Sequence, residues 1–335
     1  MKSDYFSYYV QQYFTKYLRT QRGYGSNTVS SYSMTFSLFI RFIGSETISK
    51  LKLEDLKKKT VIEFLDWLQK DRNNCDSTRN VRLAHFKSFF EYVFTEEPSL
   101  IDTCRSMATI PFKNVPKKPP VSLSEEAVKI ILNLPGTDTM EGLKHSTLLV
   151  VLYDSACRVQ EIIDLKVEDI YSGKYCHIRV NGKGNKQRDI PLLEVTSRLL
   201  KAYIKKLNLD DNDLLFESRT GGKMTRQGVA YILKKYALEA LNTNPGLIDK
   251  NISLSPHLLR HSKATHLVNS GVHIFNVRDF LGHESIATTQ VYLTTNAENT
   301  RKALENAASC IGVKAASTYS QSEITDLENF LNTMR

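Results

Sequence analysis

The sequence has no long uncharged apolar run, so no membrane span is expected. Its opening, MKSDYFSYYVQQYFTKYL, carries charges and tyrosines throughout and lacks the apolar core of a signal peptide, which points to the cytoplasm. Cysteine is scarce. Cys75, Cys104, Cys157, Cys176 and Cys310 are scattered, odd in number and free of any C-x-x-C pair. That pattern disfavours a disulfide framework and a thiolate zinc site and fits reduced thiols. There is no internal repeat and no low-complexity tract. No acid cluster or D-x-D pattern lies within the cationic motifs described below, which disfavours a metal-dependent nuclease. Gly-Lys-Gly at 182–184 lacks the Gly-Lys-[Ser/Thr] ending of a Walker P-loop.

The chain has 335 residues, enough for two ordinary domains. Hydrophobic residues at 41% and charged residues at 24% are normal for a globular protein, and the many aromatics argue against global disorder. Lysine and arginine total 45 against 36 acids, giving a net charge of +9. Such a balance suits a polyanion, most often nucleic acid, although many basic proteins bind none.

Residues 112–120, FKNVPKKPP, hold three prolines and three lysines and read as an extended linker. The expected organisation is a helical domain over 1–112, a linker over 113–120, a mixed domain over 121–300 and a tail over 301–335. In the first part, SNTVSSYSMTFSLFIRFIG has apolar residues at helical spacing and ends at Gly44. TVIEFLDWLQK and STRNVRLAHFKSFFEYVF repeat the pattern. Arg79, Arg82 and Lys87 then fall on other faces, as candidate DNA contacts or as an ordinary solvated face. In the second part, STLLVVLYDS, CRVQEIIDL, QGVAYILKKYALEAL, SPHLLRHSKATHLV and GVHIFNVRDFLGH read as helices. KYCHIRVNGKGNKQRDIPL reads as a short hairpin with a turn at Asn181-Gly182. The fold class expected is mainly α with a small antiparallel β-sheet, in two domains.

Ser255-Pro256 marks a helix start, with a serine cap and a proline at the first helical position. Helical spacing then puts His257, Arg260, Ala264, Leu267 and Val268 on one side, so an arginine and a histidine face the apolar side. A helix starting near Ser155 would likewise align Arg158 with Ile162 and Leu165, and Glu161 lies one turn along. Lys183 sits in a glycine-flanked turn. His283 follows Gly282, a natural helix terminator, and Tyr292 falls on the next short helix. An inward arginine needs an anion, because an unpaired buried charge is very costly. Local acids are too few for this set, which suggests an external phosphate, a good match for guanidinium forks. Without a metal, phosphoryl transfer needs a protein nucleophile. Tyrosine can serve, and nearby cations would ease its deprotonation from a pKa of roughly 10. Taken singly, each residue has a plainer explanation: an Arg158–Glu161 ion pair, a solvated Lys183, a core Tyr292. His257 and His261 stand at zinc-like spacing, but no third ligand accompanies them.

Together, SACRVQEI, NGKGNKQR, HLLRHSKATH, LGHESIATTQVY and SNTVSSYSMTFSLFIRFI resemble the tyrosine recombinases, the family of phage integrases and chromosome-dimer resolvases. The resemblance runs over about residues 5–300 and keeps the motif order. It implies a SAM-like core-binding domain and a catalytic domain that clamp double-stranded DNA. It implies that Tyr292 attacks the scissile phosphate and forms a 3′-phosphotyrosyl link. Arg158 and Arg260 would clamp the non-bridging oxygens, and Lys183 would protonate the leaving 5′ oxygen. His257 would transfer protons, His283 would hydrogen-bond the phosphate, and Glu161 would support Arg158. It further implies a homotetramer on two recombination sites, a Holliday junction, no cofactor or metal, and in some members accessory proteins. One departure stands out: Ala156 occupies a position where the family usually has glycine, so a less sharp turn is expected there. In the tail, Ser320 and Glu323 have capping-box spacing ahead of a stripe of Ile324, Leu327 and Leu331. That stripe suits a short helix docked on a neighbouring subunit or on its own domain. Two rivals share the motifs: a type IB-like topoisomerase, and a non-catalytic DNA-binding protein on the same fold.

Overall fold

The computed structural model describes residues 5–116, 121–173, 175–182, 186–249, 252–292 and 325. The chain forms two compact units, residues 1–117 and 118–335. Helices dominate, and one three-stranded antiparallel sheet is present, as the sequence pattern requires. Among the described residues no helix is long and apolar enough to cross a membrane.

The first unit contains α1 (Phe6–Gln12), which continues as a π-helical stretch over Tyr13–Gln21, α2 (Ser26–Ile43), α3 (Ser45–Lys50), α4 (Lys58–Lys70), α5 (Asp76–Glu96) and α6 (Ile101–Ala108). Phe6, Phe36, Phe39, Phe64, Phe86 and Phe89 pack ring against ring in its core, mostly edge-on or tilted. Gly44 ends α2 with a φ of 92°, a conformation that L side chains rarely adopt.

The basic residues of α5 each bond within their own unit. Arg79 is buried and donates to the Pro111 carbonyl at 3.0 Å. Arg82 donates to the Ser31 carbonyl at 3.1 Å and to Thr35 Oγ1 at 2.8 Å. Lys87 donates to the Ala108 carbonyl at 2.8 Å and lies over the Phe112 ring. All three are therefore engaged in holding the unit together. For Arg79 the reason lies in spacing: 79, 83, 86 and 90 form one helical stripe, and Leu83, Phe86 and Phe90 are core. The chain returning at 110–113 supplies the carbonyl that this inward arginine needs.

The second unit contains α7 (Glu125–Asn133), α8 (Met140–Asp154), α9 (Val159–Asp164), β1 (Ile170–Ser172), β2 (Cys176–Asn181), β3 (Gln187–Pro191), α10 (Glu194–Leu207), α11 (Arg226–Thr243), α12 (Pro256–Asn269), α13 (Ile274–Leu281) and α14 (Ala287–Gln290). Leu148, Leu152, Ile162, Ile178, Ile190, Leu200, Phe216, Leu233 and Leu259 lie in its core. The sheet order is β1-β2-β3, one strand more than the expected hairpin, and β1 at three residues is too short to display alternation. The tight Asn181-Gly182 turn does not form. Ile178 pairs with Ile190 and Asn181 with Gln187, and the Gly182 amide donates to the Lys186 carbonyl at 2.8 Å. Pairing the two inward isoleucines fixes this register, because a one-residue slip would turn every side chain over.

Two helix boundaries and one cap also differ from expectation. α9 starts at Val159 rather than near Ser155, because Ala156 takes a φ of 47° and Arg158 is extended at the N-cap. Ala156 thus keeps the sharp turn that glycine would make, and the expected loosening does not occur. Ser255 precedes α12, but its side chain makes no capping bond. Tyr292 lies in the turn just after α14, not on the helix.

Candidate active site

The site forms where the N-terminus of α9, the first turns of α12 and the end of α13 converge. Gly282 terminates α13 in the left-handed region, with a φ of 65°. The amides of Gly282 and His283 donate back to the Asp279 and Arg278 carbonyls, which closes the helix end. The carbonyls facing away from this cap are taken by the two arginines. Arg260 is buried and donates to the Leu281 and Ala156 carbonyls, each at 2.6 Å. Arg158 donates to the Gly282 carbonyl at 3.1 Å. The next residue along is His283, whose Nδ1 lies 3.0 Å from Thr289 Oγ1. One turn of backbone therefore gathers Arg158, Arg260 and His283.

Glu161 sits beneath them with 5% of its side chain exposed. It accepts from the Arg158 amide at 2.8 Å and Nη1 at 3.0 Å, and from Arg188 at 2.8 and 3.0 Å. Burial acts to raise its carboxyl pKa, but the bonds and charge of Arg188, with those of Arg158, outweigh it and hold it below the ordinary value. The arginines are thus not short of partners, as the acid count suggested. One shared carboxylate and backbone carbonyls serve them.

A cavity of about 840 Å3 opens beside the turn, lined by Arg158, Arg188, Arg278, Lys186, Gly182 and His283 among others. Burial, with the Arg158 and Arg188 charges adding and Glu161 opposing, lowers the Arg260 pKa to about 10. It remains a cation at neutral pH. Burial and then the Arg260 and Arg158 charges lower His283 to about 4, so it is a neutral imidazole. His257 is exposed rather than inward-facing. Its pKa is lowered by protein crowding one side of the ring and by Arg260, Arg158 and Arg226, which leaves it neutral and able to take a proton.

Tyr292 is 1% exposed, packed with Ala156, Ala264, Val277 and Leu281. Its hydroxyl lies 2.6 Å from His261 Nδ1. Burial raises its pKa above the ordinary value, and the Arg260 charge eases deprotonation only in part. Lys183 lies outside the described residues. Its neighbours Gly182 and Lys186 line the cavity. Among the described residues no three His, Cys, Asp or Glu side chains gather to hold a metal ion.

Two residues escaped the sequence reading. Arg188 stands two residues before buried Ile190 on β3, so it shares the inward face; this is the same signal that exposed Arg260. His261 carried no signal beyond its spacing from His257.

Fold and site together define a class: a mainly helical protein whose anchored guanidinium groups present a cationic cavity suited to a phosphate. The comparisons name the family. Residues 122–299 match the phage integrase family, and residues 11–97 match the phage integrase N-terminal SAM-like domain. The tyrosine recombinase XerC of Herpetosiphon aurantiacus is 35% identical over 299 residues, 86% of this chain and 90% of that protein. The tyrosine recombinase XerD of Oceanobacillus iheyensis is 31% identical over 292 residues, 85% and 93% of the two chains. Among solved structures, the XerH recombinase bound to its palindromic difH substrate aligns with a TM-score of 0.66 at 22% identity, over 84% of this chain and 80% of that one. The Tn1549 transposon integrase with circular-intermediate DNA aligns at 0.65 and 18% identity, over 88% and 98%. These structural likenesses are of fold. The chain belongs to the phage integrase family, as a tyrosine-type site-specific recombinase.

Proposed function

We propose that this recombinase cuts and rejoins double-stranded DNA through a covalent bond between Tyr292 and a 3′ phosphate. The Tyr292 oxygen attacks phosphorus, the bond to the 5′ oxygen breaks, and the phenolic proton passes to His257. Lys183 supplies a proton to the leaving 5′ oxygen. Arg158 and Arg260 bind the non-bridging oxygens, and His283 donates a hydrogen bond to one of them. Charge stabilisation by preorganised donors is the major contribution, with proton transfer adding about 10²–10⁴-fold. Rejoining runs the same steps in reverse with a 5′ hydroxyl from another strand, so the phosphodiester energy is kept in the tyrosyl link.

The observation that carries this reading is the anchoring of Arg158 and Arg260 to adjacent carbonyls of the turn that leads into His283. Residues 1–112 grip one side of the duplex, 121–300 the other, and 113–120 join them. Four copies act on two sites through a Holliday junction, in the cytoplasm, with accessory proteins where a site demands them. The helix expected at 320–335 lies almost wholly outside the described residues. We assign it to contact with a neighbouring subunit.

Trapping on nicked suicide DNA in EDTA tests the reading. Wild type forms a covalent adduct, and Tyr292→Phe forms none while binding DNA as before, because the cationic surface is unchanged. An adduct in the variant, or a strict magnesium requirement in wild type, refutes it.

A further inference from the structure

We propose that Arg188 is a positioning residue for the phosphate clamp, acting on Arg158 through Glu161. The proposal rests on the phosphotyrosyl reading above and names a residue that reading does not use. Each oxygen of Glu161 takes one bond from each arginine. Oε1 receives Arg158 Nη1 and Arg188 Nη1, and Oε2 receives the Arg158 amide and Arg188 Nη2. A carboxylate held at both oxygens from two directions cannot rotate. Arg158 is the more open of the two arginines, with 35% of its side chain exposed against 15% for Arg188. Arg158 therefore presents to the cavity, while Arg188 is spent on the carboxylate that aims it.

The surroundings of Arg188 are built around its planar head. A Cβ on Gly282 would lie 2.9 Å from its Cζ, and one on Gly182 would lie 3.3 Å from its Nη1. Glycines thus flank the guanidinium at the α13 cap and just past the end of β2. The Gly282 carbonyl also receives Arg158. Arg188, Glu161, Gly282 and Arg158 form one closed set of contacts. Removing Arg188 frees one bond at each Glu161 oxygen, and Arg158 loses its fixed aim. A clamp displaced by about 1 Å costs on the order of 10²-fold in rate.

The test uses full-length Arg188→Met and the double variant Glu161→Gln/Arg188→Met, which carries no unpaired buried charge. Single-turnover adduct formation is measured on three suicide substrates: normal DNA, DNA with a neutral methylphosphonate at the scissile position, and DNA with a bridging 5′ sulfur. Loss of clamp aim predicts cleavage of normal DNA slowed about 10²-fold in both variants. It predicts a much smaller defect on methylphosphonate, where no anionic oxygen needs the clamp, and no recovery on the sulfur substrate, which relieves only the leaving-group proton. Arg188→Lys, with charge but no fork, falls between wild type and Met. Equal defects on all three substrates, or wild-type rates in the double variant, overturn the proposal. Failure of wild type itself to form an adduct instead overturns the phosphotyrosyl reading.

Discussion

Replacing Gly282 with alanine separates backbone strain from contact at the site. Gly271 provides the control, since it also has positive φ, at 84°, and a Cβ there would meet nothing within 4 Å. Gly282 has a φ of 65°, nearer the left-handed minimum, so alanine is strained no more there than at 271. An L-residue in this region costs about 1–2 kcal/mol. Loss of the glycine's unfolded-state freedom returns about 0.4–1 kcal/mol. Gly271→Ala should therefore destabilise by about 0–1.6 kcal/mol. At Gly282 the new methyl meets the Arg188 guanidinium at 2.9 Å. Breaking a buried charge pair costs about 3–5 kcal/mol, an upper bound here because Arg188 retreats along a flexible stem. The expected excess of Gly282→Ala over Gly271→Ala is about 2–3 kcal/mol, measured as the shift in urea midpoint at unchanged slope. In an Arg188→Met background the excess should vanish, since the atoms that collide are gone. Equal costs for the two alanines, or an excess that survives Arg188→Met, would refute the contact argument.

Two further outcomes follow from a buried and a half-buried histidine. Burial and then the Arg82 charge lower His85 to about 4, from an ordinary value of 6.5. Its folded form stays neutral where the unfolded chain takes up a proton, so stability is full above pH ~6.5 and falls as pH drops towards 4. The loss reaches at most about 3 kcal/mol. His85→Gln should flatten this slope in denaturation of the full chain between pH 7 and 4.5, and an unchanged slope would contradict it. At the proposed nucleophile, the hydrogen bond between Tyr292 and His261 holds the hydroxyl in a closed place. A buried hydrogen bond contributes about 0.5–1.5 kcal/mol, so His261→Phe should speed adduct formation about 2- to 10-fold. His261→Asn, which keeps an acceptor near the Nδ1 position, should match wild type. A large fall in both variants would make His261 the proton acceptor instead.

Helix α2 with its Gly44 stop, helix α12 with Pro256 at its head and the α13 stop at Gly282 follow from local rules. Apolar spacing, a missing N–H and a residue free to take positive φ each act within a few positions of the chain. The inward arginine at 260 was legible for the same reason, as a charge on an apolar stripe. Arg79 and Arg188 carried that signal too, in helical and strand periods. The tertiary structure alone decided what those charges meet. Arg260 bonds to the carbonyl of Ala156, 104 residues away. Every residue has a carbonyl, so an acceptor of this kind leaves no mark in the sequence. For Arg79 the acceptor is the Pro111 carbonyl, a partner that no local pattern announces. Tyr292 shows the same division. Its motif makes it the proposed nucleophile, but its burial against Ala264 and Leu281 and its bond to His261 arise only when α12, α13 and α14 pack together. Sequence fixes the kind of group at each position, and packing fixes its solvent, its partner and hence its ionisation.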